Sequence, residues 1–212
     1  VQTWNAFDKG QRYRWAYKWN GIKAKMLCTD RNNTYLWPDA DQISVIDFVR
    51  VGEQTPSEQL DRFYDLIRNV CIQVELMQDY MVIVDVIAAS FYDEIYSSEP
   101  CTTVSVLREL HRVLGTSRGT RDTHIRVRGI VPSARLSHNG ENGTYSLRVQ
   151  RFYDSHIPDS FDTTLHDGFI ILQNNITVKW KYPTVDVKYL GTDSRLLDRL
   201  LDTCSPSVQS RN

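Results

Sequence analysis

Arg12-Tyr13-Arg14-Trp15-Ala16-Tyr17-Lys18-Trp19-Asn20-Gly21-Ile22-Lys23-Ala24-Lys25 is the stretch on which the fold turns. Tyr13, Trp15, Tyr17 and Trp19 alternate with Arg14, Ala16 and Lys18, the period-2 pattern of a strand from Arg12 to Trp19. Asn20-Gly21 follows, a strong hairpin signal because both residues tolerate positive φ. The spacing predicts a return strand from Ile22 to Thr29, lying antiparallel beside the first.

Strand signals continue outward from this hairpin. They fall on Thr34 to Trp37, Ile43 to Val51, Val70 to Leu76, Tyr80 to Ala88, Ile125 to Val131, Tyr145 to Tyr153, Gly168 to Leu172, Ile176 to Lys181 and Val185 to Leu190. Helical spacing is rarer. Ser57 to Asn69 carries Leu60, Phe63, Tyr64 and Ile67 on one side, after Pro56. Thr102 to Gly115 carries Val106, Leu107, Leu110 and Leu114, with Gly115 as the stop. A third helix is predicted from Asp193 to Asp202, followed by a fraying polar tail. Asn139 to Gly143 reads as a polar hairpin tip. The pattern is α+β, mainly antiparallel, with helices flanking the sheets. The expected division is a domain over residues 1–190 and a C-terminal helix and tail over 191–212.

Composition narrows the classes of function. The chain has 212 residues, 41% hydrophobic and 24% charged, which excludes wholesale disorder. No apolar run approaches the ~20 residues that cross a bilayer, so no membrane partner is expected. No secretory leader pattern opens the chain, and the expected setting is intracellular. The first residue is Val1 rather than Met, as expected of a processed product or a piece of a longer protein. The net charge of −1 favours no class of partner by itself. Cys28, Cys71, Cys101 and Cys204 are far apart, without zinc-ligand spacing, and read as reduced thiols. The five histidines show no paired-ligand pattern.

The hairpin has chemical content. Lys18 lies on the face opposite the aromatics, and the turn brings Lys23 and Lys25 back beside it. Free lysine is neutral about once in a few thousand at pH 7. Neighbouring cations favour loss of the proton and so a nucleophilic amine, provided water is partly excluded. The plainer alternative is a solvated turn with its lysines spread into water. Lys179 and Lys181, two apart on a strand, project to one face and suit either an anion clamp or an exposed strand. Arg118, Arg121, Arg126, Arg128 and Arg135 form a basic stretch that either tracks a nucleic acid or is a solvated face.

Further segments follow in order. They are Val74-Glu75-Leu76, the apolar strand Tyr80 to Ile87 containing Asp85, Val149-Gln150-Arg151-Phe152-Tyr153, His166-Asp167-Gly168-Phe169-Ile170-Ile171, and Val178-Lys179-Trp180-Lys181 before Pro183 to Val187. With Lys18-Trp19-Asn20-Gly21-Ile22-Lys23, the set resembles motifs I, III, IIIa, IV and V of the covalent nucleotidyltransferases. That superfamily holds the mRNA capping guanylyltransferases and the ATP-dependent DNA and RNA ligases. The Lys-Trp-Lys ending resembles the capping branch, in particular the guanylyltransferase domains of baculovirus RNA polymerase capping subunits. The resemblance covers Tyr13 to Tyr189.

The resemblance implies a nucleotidyltransferase, ATP-grasp-like ligase and capping domain. Lys18 would attack the α-phosphate of GTP, and the GMP would then pass to the 5′-diphosphate end of RNA. Lys179 and Lys181 would hold the α-phosphate, and Lys23 would contact ribose or phosphate. Glu75 would contact ribose and, with Asp167, hold Mg²⁺ or Mn²⁺. The base would lie against the Tyr80 to Val84 strand, with Tyr80 and Val84 as candidates. Asp85 reads as a structural hydrogen-bond partner. Implied partners are other subunits of a viral RNA polymerase and an N-terminal triphosphatase domain, in the host nucleus.

The sequence departs from the family pattern twice. Asn20 stands where motif I has Asp, and no motif VI or OB domain is recognisable after Leu190. An ATP-dependent RNA ligase using the same lysine is one alternative. A non-catalytic polymerase subunit of the same fold is another.

Overall fold

The computed structural model describes residues 7–39, 42–52, 55–89, 103–116, 121–129, 144–173 and 176–181. Ten strands and two helices are described. β1 is Arg14–Trp19, β2 Ile22–Asp30, β3 Asn33–Pro38, β4 Ser44–Arg50, β5 Val70–Leu76, β6 Tyr80–Ala89, β7 Ile125–Gly129, β8 Thr144–Val149, β9 His166–Gln173 and β10 Ile176–Lys181. α1 is Ser57–Ile67 and α2 is Thr103–Leu114. The α+β, mainly antiparallel expectation holds, with one parallel pair among the described strands, β6 with β8. The predicted strand at 185–190, helix at 193–202 and tip at 139–143 lie outside the described residues. Chain contacts define two compact units, Val1–Trp180 and Lys181–Asn212.

Sheet order is where the structure departs from the sequence reading. Seven strands close into a barrel, in the order β2-β3-β4-β7-β8-β6-β5, and three form a separate sheet, β1-β9-β10. β1 therefore does not pair with β2. Its partner is β9, from Arg14 opposite Leu172 to Trp19 opposite His166. β2 pairs instead with β3 and β5. Asn20-Gly21 is a joint between two sheets rather than a hairpin turn.

The physical reason lies in what the two joint residues do. Neither Asn20 nor Gly21 has positive φ, so the primed turn of a tight hairpin does not form. The Asn20 N–H donates to the Leu165 carbonyl at 2.8 Å, just before β9. The Gly21 N–H donates to Glu75 Oε1 at 2.9 Å, on β5. Successive donors thus serve opposite sheets. Glycine is needed here for space: a Cβ at Gly21 would lie 2.5 Å from the Leu76 carbonyl oxygen and 2.7 Å from Met77 Sδ.

The barrel core is apolar. Met26, Leu36, Phe48, Ile72, Ile83 and Leu147 point inward from the strands. The helices add Phe63, Tyr64 and Ile67 from α1 and Leu107, Leu110 and Leu114 from α2, the positions their 3.6-residue period selects. Gln59 of α1 donates through Nε2 to the Val113 and Leu114 carbonyls, both at 2.8 Å. Those are end carbonyls of α2 that have no partner within the helix. The three-stranded sheet has its own cluster, centred on Trp15, Phe169, Ile171 and Val178. A smaller cluster of Trp19, Met77, Tyr80 and Val82, with Val84 and Leu165 partly buried against it, ties the sheet to the barrel's outer face. Cys28, which is buried, and Cys71, which is half-buried, are free thiols. Among the described residues no helix is long and apolar enough to cross a membrane.

Candidate functional site

Lys18 and Asp167 meet because β9 carries one extra residue. Lys18 is opposite Gly168 and Trp19 is opposite His166, which leaves Asp167 unpaired in a β-bulge. In unbroken register Asp167 would be opposite Trp19 and would share its face. The bulge turns the carboxylate to the other side, where Lys18 Nζ donates to both oxygens, each at 2.9 Å. Gly168, at φ +151°, supplies the backbone conformation this requires. The pair is mostly enclosed, with Lys18 18% and Asp167 20% exposed.

Glu75 is the next-to-last residue of β5 and is 7% exposed. Lys23 stands directly opposite it on β2. Burial pushes the Glu75 carboxyl above its ordinary range. The Gly21 N–H and the Lys18 and Lys23 cations oppose that rise, and Asp167 adds to it. Lys179, on β10, is exposed. Its ammonium is nevertheless held below the usual lysine range, first by partial withdrawal from water and then by Lys23 and Lys18. Asp85 and Glu75 pull it back up. Lys18, Lys23, Glu75, Asp85, Asp167 and Lys179 therefore form one electrostatic neighbourhood, each contributed by a different strand.

Other expected residues are placed differently. Lys25 is exposed two residues beyond Lys23, opposite Gln73 and Trp37, and is not among the charges acting on Glu75 or Lys179. The expected trio of Lys18, Lys23 and Lys25 is thus replaced by Lys18, Lys23 and Lys179. The cause is the crossover of β1 away from β2. Lys181 is exposed at the end of β10 and falls in the second compact unit. Asn20 is exposed. Asp85 Oδ1 accepts from the Val86 N–H at 2.7 Å. Tyr80 is 8% exposed, with one face covered by the Arg148 guanidinium, 3.6 Å from the ring centroid. Val84 is half-buried at the edge of the same cluster.

Among the described residues no three His, Cys, Asp or Glu side chains gather as a metal-binding group. The chain offers two carboxylates instead, Glu75 and Asp167. That donor set fits a hard divalent cation such as Mg²⁺, which takes one or two carboxylates and completes its shell with water and substrate phosphates.

Sequence reading named Arg121, Tyr17 and Trp19 separately but did not join them into the second group that lies on the far side of β1. Tyr17, Trp19, Arg121, Arg148, Leu165 and His166 line a cavity of about 430 Å³ together with Asp162. Arg148 gave a signal, a cation alternating with Leu147 and Val149 along a strand, but one arginine on a strand is ordinary. His166 begins β9 and faces away from Lys18.

A family model for late expression factor 4 (LEF-4) matches residues 2–205. No curated protein matches the chain.

Proposed function

The chain belongs to the late expression factor 4 family, and on that premise we propose that it is the guanylyltransferase domain of a viral mRNA capping subunit. The reading assigns it the covalent nucleotidyltransferase fold. What carries it is the enclosed pair of Lys18 and Asp167, with Glu75, Lys23 and Lys179 around it.

Lys18 is the proposed nucleophile. An ammonium that donates to a carboxylate has no lone pair to offer. It must leave Asp167 and lose a proton before it attacks. Its nitrogen then bonds to the α-phosphorus of GTP, the bond to the bridging oxygen breaks, and pyrophosphate departs with that electron pair. The GMP passes from Lys18 to the terminal phosphate oxygen of a 5′-diphosphate RNA, and the amine is restored. Lys179, whose ammonium is held below the usual lysine range, and Lys181 are proposed to face the α-phosphate oxygens, where charge grows in the transition state. Lys23 would hold the ribose or an outer phosphate, and Glu75 the ribose hydroxyls. Val84 is the more open of the two base-contact candidates, since Tyr80 is covered by Arg148. Asp167 and Glu75 would hold Mg²⁺ or Mn²⁺, which neutralises phosphate charge and aids departure of pyrophosphate. Other polymerase subunits and a triphosphatase domain, which would prepare the 5′-diphosphate, are the proposed partners. The host nucleus is the proposed location.

The test is covalent labelling. Protein incubated with α-labelled GTP and Mg²⁺ should retain label through denaturation. Lys18→Ala should abolish the label, and Lys25→Ala should leave it unchanged. Label from ATP alone would replace this reading with an RNA ligase. No adduct from either nucleotide, with polymerase partners present, would leave a non-catalytic subunit.

A further inference from the structure

We propose that the cavity behind β1 binds one nucleotide of a single-stranded RNA, making it a strand-holding subsite separate from the Lys18 pocket. The proposal rests on the acceptor being RNA, as the reading above has it.

The strongest observation is His166. It is 6% exposed, and its two buried ring nitrogens make no hydrogen bond of full geometry, the Asp162 carbonyl acting on the ring only as a weaker acceptor. A buried imidazole with neither nitrogen fully satisfied is costly in a finished fold. The ring is fixed by stacking on Tyr17, with centroids 4.4 Å apart and planes 24° apart, and by Trp19 at 4.5 Å. It lines the cavity, where a ligand can supply the missing partner.

The arginines give the ligand's charge. Arg121 is exposed, and its one described contact is the face of Tyr17, 5.9 Å from the ring centroid. Arg148 is held by Asp122, with Nε donating to Oδ1 at 2.7 Å, which fixes its guanidinium at the wall. A narrower recess continues past both towards Arg151, which is also exposed. Asp162 shares the wall, and its Oδ1 accepts from the Thr164 N–H at 2.9 Å and from Thr164 Oγ1 at 2.6 Å. Three guanidiniums against Asp122 and Asp162 leave one positive charge. Guanidinium forks suit phosphate oxygens. The half-buried Tyr17 ring beside them, under Arg121, gives a base an aromatic neighbour, and the combination of cations with aromatic rings is how single strands are held without sequence preference. The cavity's size suits one nucleotide.

Position along the barrel links this cavity to the lysine site. Lys23, Glu75, Val82 and Arg148 form one cross-strand row over β2, β5, β6 and β8. Arg148 is therefore two strand spacings from Glu75, about 10 Å. Neighbouring nucleotides of one strand can span that gap, with the terminal phosphate at Lys18 and a following unit behind β1.

The experiment measures binding of a fluorescent single-stranded RNA to the full chain by anisotropy. Lys18 labelling by GTP without RNA is measured in parallel. Arg121→Ala should weaken RNA binding roughly ten-fold and flatten its salt dependence by about 0.7 in log–log slope, while GTP labelling stays unchanged. Arg121→Lys should restore the slope but only part of the affinity. Because Arg121 is exposed, neither change threatens folding; His166→Phe, which satisfies the pocket without a nitrogen, provides a second weakened variant. Unchanged affinity in both Arg121→Ala and His166→Phe overturns the proposal. So does competition by free GMP as effective as that by RNA, or equal affinity for duplex RNA. RNA binding that depends on Arg121 in a chain that never labels would support this subsite while removing the guanylyltransferase reading.

Discussion

The barrel and the three-stranded sheet divide the work of the molecule. The barrel closes on itself and fills with aliphatic and aromatic side chains from seven strands and two helices. In the sheet the outer strand β1 supplies Lys18 and the central strand β9 supplies Asp167, the ion pair on which the proposed chemistry rests. Glu75 and Lys23 belong to the barrel but lie on its outside, facing the sheet's charges. The apolar core is thus concentrated where no candidate reacting group sits, and the candidate reacting groups are placed at the seam.

If that division is real, mutations should separate the two. Lys18→Ala should remove all covalent label. Its cost in stability should be only about 1–2 kcal/mol, because the pair it breaks is partly solvated. Phe63→Ala should do the reverse. Phe63 is fully buried among barrel residues, and truncation should cost about 3–5 kcal/mol in denaturant unfolding. Label per folded molecule should stay at the parent level. A Phe63→Ala protein that is folded yet unreactive would break the comparison.

Gly21→Ala tests the seam itself. The new methyl group must displace the Leu76 carbonyl or Met77, and the Gly21 N–H must leave Glu75. Labelling should fall about ten-fold and stability by about 1–3 kcal/mol, both together. Loss of stability with full labelling would show that Glu75 needs no help from Gly21.

The smallest effect belongs to the barrel side. His111 on α2 is half-buried, 3.1 Å from the Gln150 carbonyl oxygen. Burial holds its imidazole below the ordinary histidine range; the Gln150 carbonyl opposes this and Arg151 reinforces it. Above the unfolded value near ~6.5 both states are neutral, and stability is unaffected. As pH falls through that value the unfolded chain binds a proton that the fold resists, so stability declines until the folded value is passed. Melting temperature from pH 7.5 to 5 should fall more steeply for the parent than for His111→Gln. Parallel curves would remove His111 from the account.

Sequence made the strands legible but not their partners. β5 and β10 run over the predicted residues, since alternation and turn chemistry are local. Periodicity says which face a residue takes, and nothing about which strand lies beside it. Lys18 and Asp167 are 149 positions apart, and their meeting depends on a bulge that no local pattern encodes. Asn20-Gly21 misled for a related reason. The usual warrant for that dipeptide is backbone freedom, whereas here Gly21 is required because nothing larger fits against β5. The resemblance supplied what periodicity lacked, joining Lys18, Lys23, Glu75, Asp167 and Lys179 into one expectation. It was silent on the cavity behind β1, whose parts come from segments with no shared motif.

The bulge at Asp167 makes this part of the chain sensitive to arithmetic. Substitutions around it change one side chain at a time, but deletion of a single residue between Leu165 and Gly168 would restore even pairing with β1. The acid would then lose its place beside the amine, however similar the surviving letters looked. Over divergent copies, spelling in this stretch can drift while its length stays fixed.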